Sequence, residues 1–134
     1  MFYRARIFKD GDGWGVEFPD CPGCLTCADT KEEAQAAAKE ALELWLESAL
    51  DHGELPPKPK AKRGEAIHLD AKLGVAIQIR WAREEQGLTQ AALAKTAGLT
   101  RQQVAKLESP DNNPTLESVG AVAKALGLHV ELVA

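Results

Sequence analysis

The chain has 134 residues, 45% of them hydrophobic and 27% charged, with a net charge of −4. That is apolar material enough for one medium core or two small ones, and too much for a disordered chain. No run approaches the ~18–20 apolar residues needed to span a bilayer, and the opening MFYRARIFKDGDG lacks the apolar stretch and small-residue cleavage site of a secretory signal, so a cytoplasmic protein is expected. Charge is unevenly spread: residues 1–55 hold five Lys/Arg against twelve Asp/Glu, net −7, residues 56–64 are net +4, and residues 65–134 are net −1. An acidic front half repels nucleic acid and suits a basic partner. A solvated acidic helix face accounts for Glu32, Glu33, Glu40, Glu43 and Glu47 equally well.

The first element is a hairpin. Tyr3, Ala5 and Ile7 alternate with Arg4 and Arg6 along a strand over Phe2–Lys9, DGDG turns the chain, and WGVEF (Trp14–Phe18) returns it. A third short strand at Leu25–Ala28 follows the turn PDCPG. Thr30, with Glu33 three residues on, forms a capping box. The helix behind it carries Ala34, Ala38, Ala41, Leu42, Trp45 and Ala49 as the stripe that covers one face of the sheet, and Gly53 lets the chain leave. ELP after Gly53 is expected as a fourth, edge strand, giving a β-β-β-α(-β) layer.

Cys21, Cys24 and Cys27 stand at C-x-x-C-x-x-C. Zinc sites and iron–sulfur motifs want a fourth ligand that this chain does not supply nearby, His52 lying beyond a whole helix, so Cys21 and Cys27 are read as small buried or half-buried apolar side chains and no metal or cofactor is expected. Asp10, Asp12, Glu17 and Asp20 could be imagined as a Mg²⁺-holding nuclease cluster, but Asp10 and Asp12 are what the turn itself requires. His52, His68 and His129 have no nucleophile beside them. No catalytic residue is assigned, and the expectation is that the chain is not an enzyme.

The run WGVEFPDCPGCLTCADTKEEAQAAAKEALELWLESALDHGELPP is similar to the N-terminal domain of HicB antitoxins, whose pattern is a strand ending in F-P-D-x-P-G-C, then D-T-x-E-E-A and an Ala/Leu-rich helix. The resemblance covers residues 3 to about 57. It implies a partner, a small basic HicA-type mRNA-cleaving ribonuclease toxin, whose active surface the front domain would cover. The acidic front half fits that role independently. Trp14, Glu17, Phe18 and Asp20, at the hairpin end and the following loop, are the expected toxin contacts.

PPKPKAKRG, residues 56–64, reads as an extended, solvated, basic linker. Behind it, a helix over Ala76–Gln86 precedes GLTQAALAKTAGLTRQQVAKLE (Gly87–Glu108). Thr89 caps a short helix that buries Leu93 and Ala94 and stops at Gly98. Thr100 caps the next, where Val104 and Leu107 recur at buried spacing and Arg101, Gln102, Gln103 and Lys106 point outward. Arg reads guanine and Gln reads adenine through paired hydrogen bonds. Gln90, opening the earlier helix, would meet a phosphate and set register. A plain helical bundle would explain the buried positions but not this polar set.

The stretch Leu73–Leu126 resembles the helix-turn-helix domain of the lambda-repressor-like family. In that family the Gln opening the second helix contacts phosphate and the start of the third helix contacts bases. The matching positions are Gln90, then Arg101, Gln102 and Lys106, with Gln103 as a helper, and the capping Thr100 is counted with them as an expected DNA contact. The loop SPDNNPT departs from the family's short basic loop, and Asp111 there would repel phosphate. A last helix is expected over Leu116–Leu126, and LHVELVA alternates as a terminal strand that could join subunits or pair with EAIHL (Glu65–Leu69).

The whole is therefore expected to be α+β, with a HicB-like domain over residues 1–55, a linker over 56–64, and an all-α helix-turn-helix domain with a terminal strand over 65–134. Its expected partners are a HicA-type toxin and a double-stranded operator DNA, with a homodimer, or a tetramer formed by two dimers, and no membrane. The alternative is a helix-turn-helix regulator whose front domain senses a small ligand or another protein.

Overall fold

The computed structural model describes residues 1–133. It divides into two compact units, Met1–Asp70 and one beginning at Ala71.

In the front unit, strands β1 (Phe2–Asp10), β2 (Gly13–Glu17), β3 (Leu25–Ala28) and β4 (Glu65–His68) form one antiparallel sheet in the order β3-β2-β1-β4, and helix α1 (Lys31–Asp51) lies against it. β1 and β2 join through Gly11 and Asp12, with Ile7 opposite Val16 and Asp10 opposite Gly13. Thr30 opens α1 by accepting a 3.1 Å hydrogen bond from the Glu33 amide. The helix buries Ala34, Ala38, Leu42, Leu46, Ala49 and Leu50. Ala41 and Trp45, expected in that stripe, are only half-buried. Tyr3, Ala5, Val16 and Phe18 complete the apolar layer with Cys21, Cys24 and Ile67.

The fourth strand is Glu65–His68, not ELP, which carries no strand. Phe2 pairs with His68 and Ala5 with Glu65, so this segment closes the front sheet rather than joining the rear domain. Gly64 makes the approach possible: at φ +111°, a Cβ on it would stand 2.5 Å from the Ala5 carbonyl oxygen, which only glycine avoids. The basic stretch before it is extended, but it is strapped down rather than free. Asp20 Oδ2 accepts 2.9 Å hydrogen bonds from the amides of both Lys60 and Ala61, Tyr3 donates its hydroxyl to the Pro57 carbonyl at 2.5 Å, Arg4 reaches the Gly64 carbonyl at 2.9 Å, and Pro56 is fully buried. Composition correctly excluded helix here, but it could not show that a distant carboxylate satisfies the amides.

The rear unit is helical: α2 (Ala71–Glu85), α3 (Gln90–Ala97), α4 (Arg101–Leu107) and α5 (Leu116–Leu126). Ile79, Leu93, Ala94, Val104, Leu107, Val119, Val122 and Leu126 form its core, with Ala97 and Leu99 packed partly buried against it. Residues 128–133 carry no strand, so the terminal strand is not formed among the described residues, and Ala134 lies outside them. Alternation marks a segment fit for edge pairing, but a strand needs a neighbour, and Glu65–His68 is already bonded to β1.

Candidate nucleic-acid interface

The rear unit builds its surface on α3 and α4. Thr89 accepts from the Ala92 amide at 3.0 Å, and Gly98 ends α3 in the left-handed conformation at φ 70°. Thr100 then starts α4 with a full capping box: its Oγ1 accepts from the Gln103 amide at 3.1 Å while its own amide donates to Gln103 Oε1 at 2.8 Å. The two caps fix where each helix starts, and Val104 (0% exposed) and Leu107 (5%) fix how α4 is rotated about its axis. With those faces inward, Arg101, Gln102, Gln103, Ala105 and Lys106 are left exposed.

The residues expected to read DNA are not equivalent in the structure. Arg101, Gln102 and Lys106 stand clear on α4, whereas Gln103 spends its carbonyl oxygen on the cap and Thr100 spends its lone pair there. The cap pattern T-x-x-Q was visible in the sequence and could have assigned Gln103 this structural task. Gln90 is half-buried, its Nε2 3.4 Å from Glu108 Oε1.

Beneath it lies an ion pair that the sequence reading missed. Arg83 donates through Nε at 2.6 Å and through an Nη at 2.9 Å to the two oxygens of Glu108, and through its other Nη to the Leu88 carbonyl at 2.8 Å. The hydrogen bond to Glu108 raises the Arg83 pKa further above its ordinary value, against the desolvation that would lower it. Glu108 is 6% exposed, and the Arg83 fork gives both of its oxygens a donor. The signal was a Glu at the end of an apolar-faced helix, which reads as surface until its partner is known. In the following loop, Asn113 accepts from Lys72 Nζ at 3.2 Å and Asp111 is exposed.

In the front unit the four expected contact residues separate. Trp14 is half-buried, with Lys9 Nζ 5.2 Å and Lys31 Nζ 5.9 Å from its ring centroid. Glu17 is paired with Arg6. Phe18 is 3% exposed and belongs to the core, and Asp20 holds the strap. F-P-D therefore shapes this rim from within, and a buried ring cannot present a contact surface. Cys21 and Cys24 are buried, but Cys27, expected to be at least half-buried, is exposed, because its register opposite Gly15 puts it on the sheet face that α1 does not cover. Burial, then the neighbouring Cys24 and Asp20, pushes the Cys21 thiol up to about 12, and burial pushes Cys24 up to about 11. Among the described residues no group of three His, Cys, Asp or Glu side chains is placed to share an ion, and no helix is long and apolar enough to cross a membrane.

Comparison with known proteins follows the same division. Residues 3–75 match the family described as HicB_like antitoxin of bacterial toxin-antitoxin system, and residues 79–133 match the Helix-turn-helix family. The chain is similar to Antitoxin HicB 2 of Photorhabdus laumondii, 29% identical with all of this chain and 96% of that protein covered. It is 30% identical to Antitoxin HicB of Escherichia coli K12, covering 90% of this chain and 89% of that one. A 59-residue stretch is 41% identical to the Immunity repressor protein of Bacillus phage phi105, covering 44% of this chain and 41% of that one. These relatives are antitoxins and a repressor rather than enzymes. With a sheet-and-helix front unit matched as HicB-like and a DNA-binding helix-turn-helix behind it, the chain belongs to the HicB-like antitoxin family.

Proposed function

We propose that this protein neutralises a HicA-type ribonuclease toxin with its front unit and represses its own operon with its rear unit. The observation that carries the repressor half is α4 itself, whose buried Val104 and Leu107 leave Arg101, Gln102 and Lys106 facing outward behind a capped start. Arg101 and Gln102 read base edges, Lys106 meets base or phosphate, and Gln90, Thr100 and Gln103 set register on the backbone. The acidic balance of residues 1–55 supports a basic partner for the front unit. Trp14 and Glu17 are the contacts on its rim, and Phe18 and Asp20 hold that rim in shape.

Two half-sites about 34 Å apart call for a dimer. The segment after Gly127 is its seam: Leu128 is 41%, Val130 57% and Leu132 fully exposed, beside a groove lined by Val75, Ile79, Val119 and Ala123. Truncation after Gly127 should give a monomer in sedimentation, and a truncated chain that stays dimeric refutes this seam.

The deciding experiment is co-expression with the neighbouring reading frame, followed by pull-down and gel-shift on the operon's own promoter. Arg101→Ala should lose about 1–3 kcal/mol of operator discrimination with toxin capture kept. Equal loss of both overturns the division of labour.

A further inference from the structure

The front sheet has a second face. α1 covers the side carrying Tyr3, Ala5 and Val16, and strand alternation sends Phe2, Arg4, Arg6 and Phe8 to the other. There each arginine lies over a ring: Arg4 Cζ is 5.2 Å from the Phe2 centroid and Arg6 Cζ is 4.1 Å from that of Phe8. Phe8 lies flat because its cross-strand partner is Gly15, where a Cβ would come within 2.5 Å of the ring. The His68 ring stands 5.2 Å from Phe2. The outcome is two cation–ring pairs on one strand, their rings six residues apart, about 20 Å at the usual strand rise.

Charge is sorted between the two sides of the unit. The carboxylates of Glu32, Glu33, Glu40, Glu43, Glu47 and Asp51 belong to α1. On the open face the strands carry only Glu17, already bound to Arg6, and Asp10 at the turn. The basic stretch Lys62–Arg63 adjoins it, since Arg4 holds the Gly64 carbonyl.

We propose that this open face binds single-stranded nucleic acid. A guanidinium lying over a ring can offer its outer plane to a base, and the N–H groups not spent on Glu17 by Arg6 or on the Gly64 carbonyl by Arg4 can meet a phosphate, so both parts of a nucleotide are matched. An acidic peptide would satisfy the charge but leave both planes without a stacking partner. Because stacking accepts any base, the site reads shape and charge rather than sequence. It is a different surface from that of α4, and it adjoins the rim proposed for the toxin, where Glu17 pairs with Arg6.

The test uses the full chain with fluorescein-labelled 12-nucleotide oligo-U RNA and oligo-dT DNA, followed by anisotropy. Binding should weaken about tenfold between 50 and 200 mM salt, as expected for two to three phosphate contacts on a single strand. Preference between the two oligonucleotides tells RNA from DNA. Arg4→Gln with Arg6→Gln should cost at least about tenfold in oligonucleotide affinity while gel-shift on operator duplex is unchanged, and Arg101→Ala should do the reverse. Arg6→Lys, which keeps the charge and loses the plane, should fall between. Should the double variant not fold, cross-linking of the unaltered protein to 4-thiouridine RNA decides: adducts on residues 2–9 support the proposal. Adducts confined to α4, no anisotropy change, or oligonucleotide binding unmoved by the double variant while protein-partner capture is lost, overturn it.

Discussion

Three of the four rear helices, α3, α4 and α5, begin at a threonine whose hydroxyl accepts an amide three residues on, and α3 and α5 end at a left-handed glycine. In the front unit, by contrast, Phe2 finds its partner in His68 and Asp20 finds its partners in Lys60 and Ala61. One unit is written mostly in neighbouring residues and the other in distant ones. Little of the rear unit's local order therefore depends on sequence outside it. The front unit needs its whole length to close one sheet.

The strongest way to break this contrast is to attack the buried ion pair that links distant residues in the rear unit, Arg83 with Glu108. Arg83→Met leaves the Glu108 carboxylate buried and unpaired and should cost about 3–5 kcal/mol, read as early loss of the rear transition in urea with the front transition unmoved. A rear unit that tolerates the change would mean that caps and apolar packing suffice. Leu42→Ala, at a fully buried position on α1, should cost the front unit about 2–5 kcal/mol and abolish partner capture before operator binding, as pull-down and gel-shift report. At the local end, Thr100→Ala removes one cap and should cost about 1 kcal/mol, seen as a small shift in melting and a weaker operator complex.

The gentlest probe is pH. The Cys21 thiol is pushed up to about 12 and that of Cys24 to about 11 from an ordinary 9.0, and burial also raises the Tyr3 hydroxyl. A folded state that keeps these protons more tightly than the unfolded chain is fully favoured below about pH 9 and loses stability as pH climbs from there towards 12. Front-unit melting temperature should therefore fall across that window, less steeply in Cys21→Ala. For the same reason a thiol reagent at pH 8 should label Cys27 and spare the other two until denaturant is added.

The contrast also explains what could be read in advance. Thr89, Gly98, Thr100 and Val104 each carry their meaning within one turn of helix, so α3, α4 and the outward set Arg101, Gln102 and Lys106 were legible. Gln103 was legible only in part, because a side chain can cap and face solvent at once. In the front unit the hairpin and α1 were legible from alternation and helical spacing. The strand Glu65–His68 was not, since four residues of mixed polarity gain strand structure only from β1, and Gly64 shows its purpose only beside the Ala5 carbonyl. The segment after Gly127 shows the opposite error: its alternation is real, yet no strand pairs with it among the described residues.

The strap from Pro56 to Gly64 sets a rule for anyone who cuts or recombines this protein. It looks like a joint, and a splice placed there would discard the strand that seals Phe2–Ala5, leaving a bare row of amides and carbonyls open to any passing chain. A transplantable front module has to run through Asp70, so the natural seam for exchanging modules in this architecture falls in the short step from β4 to α2.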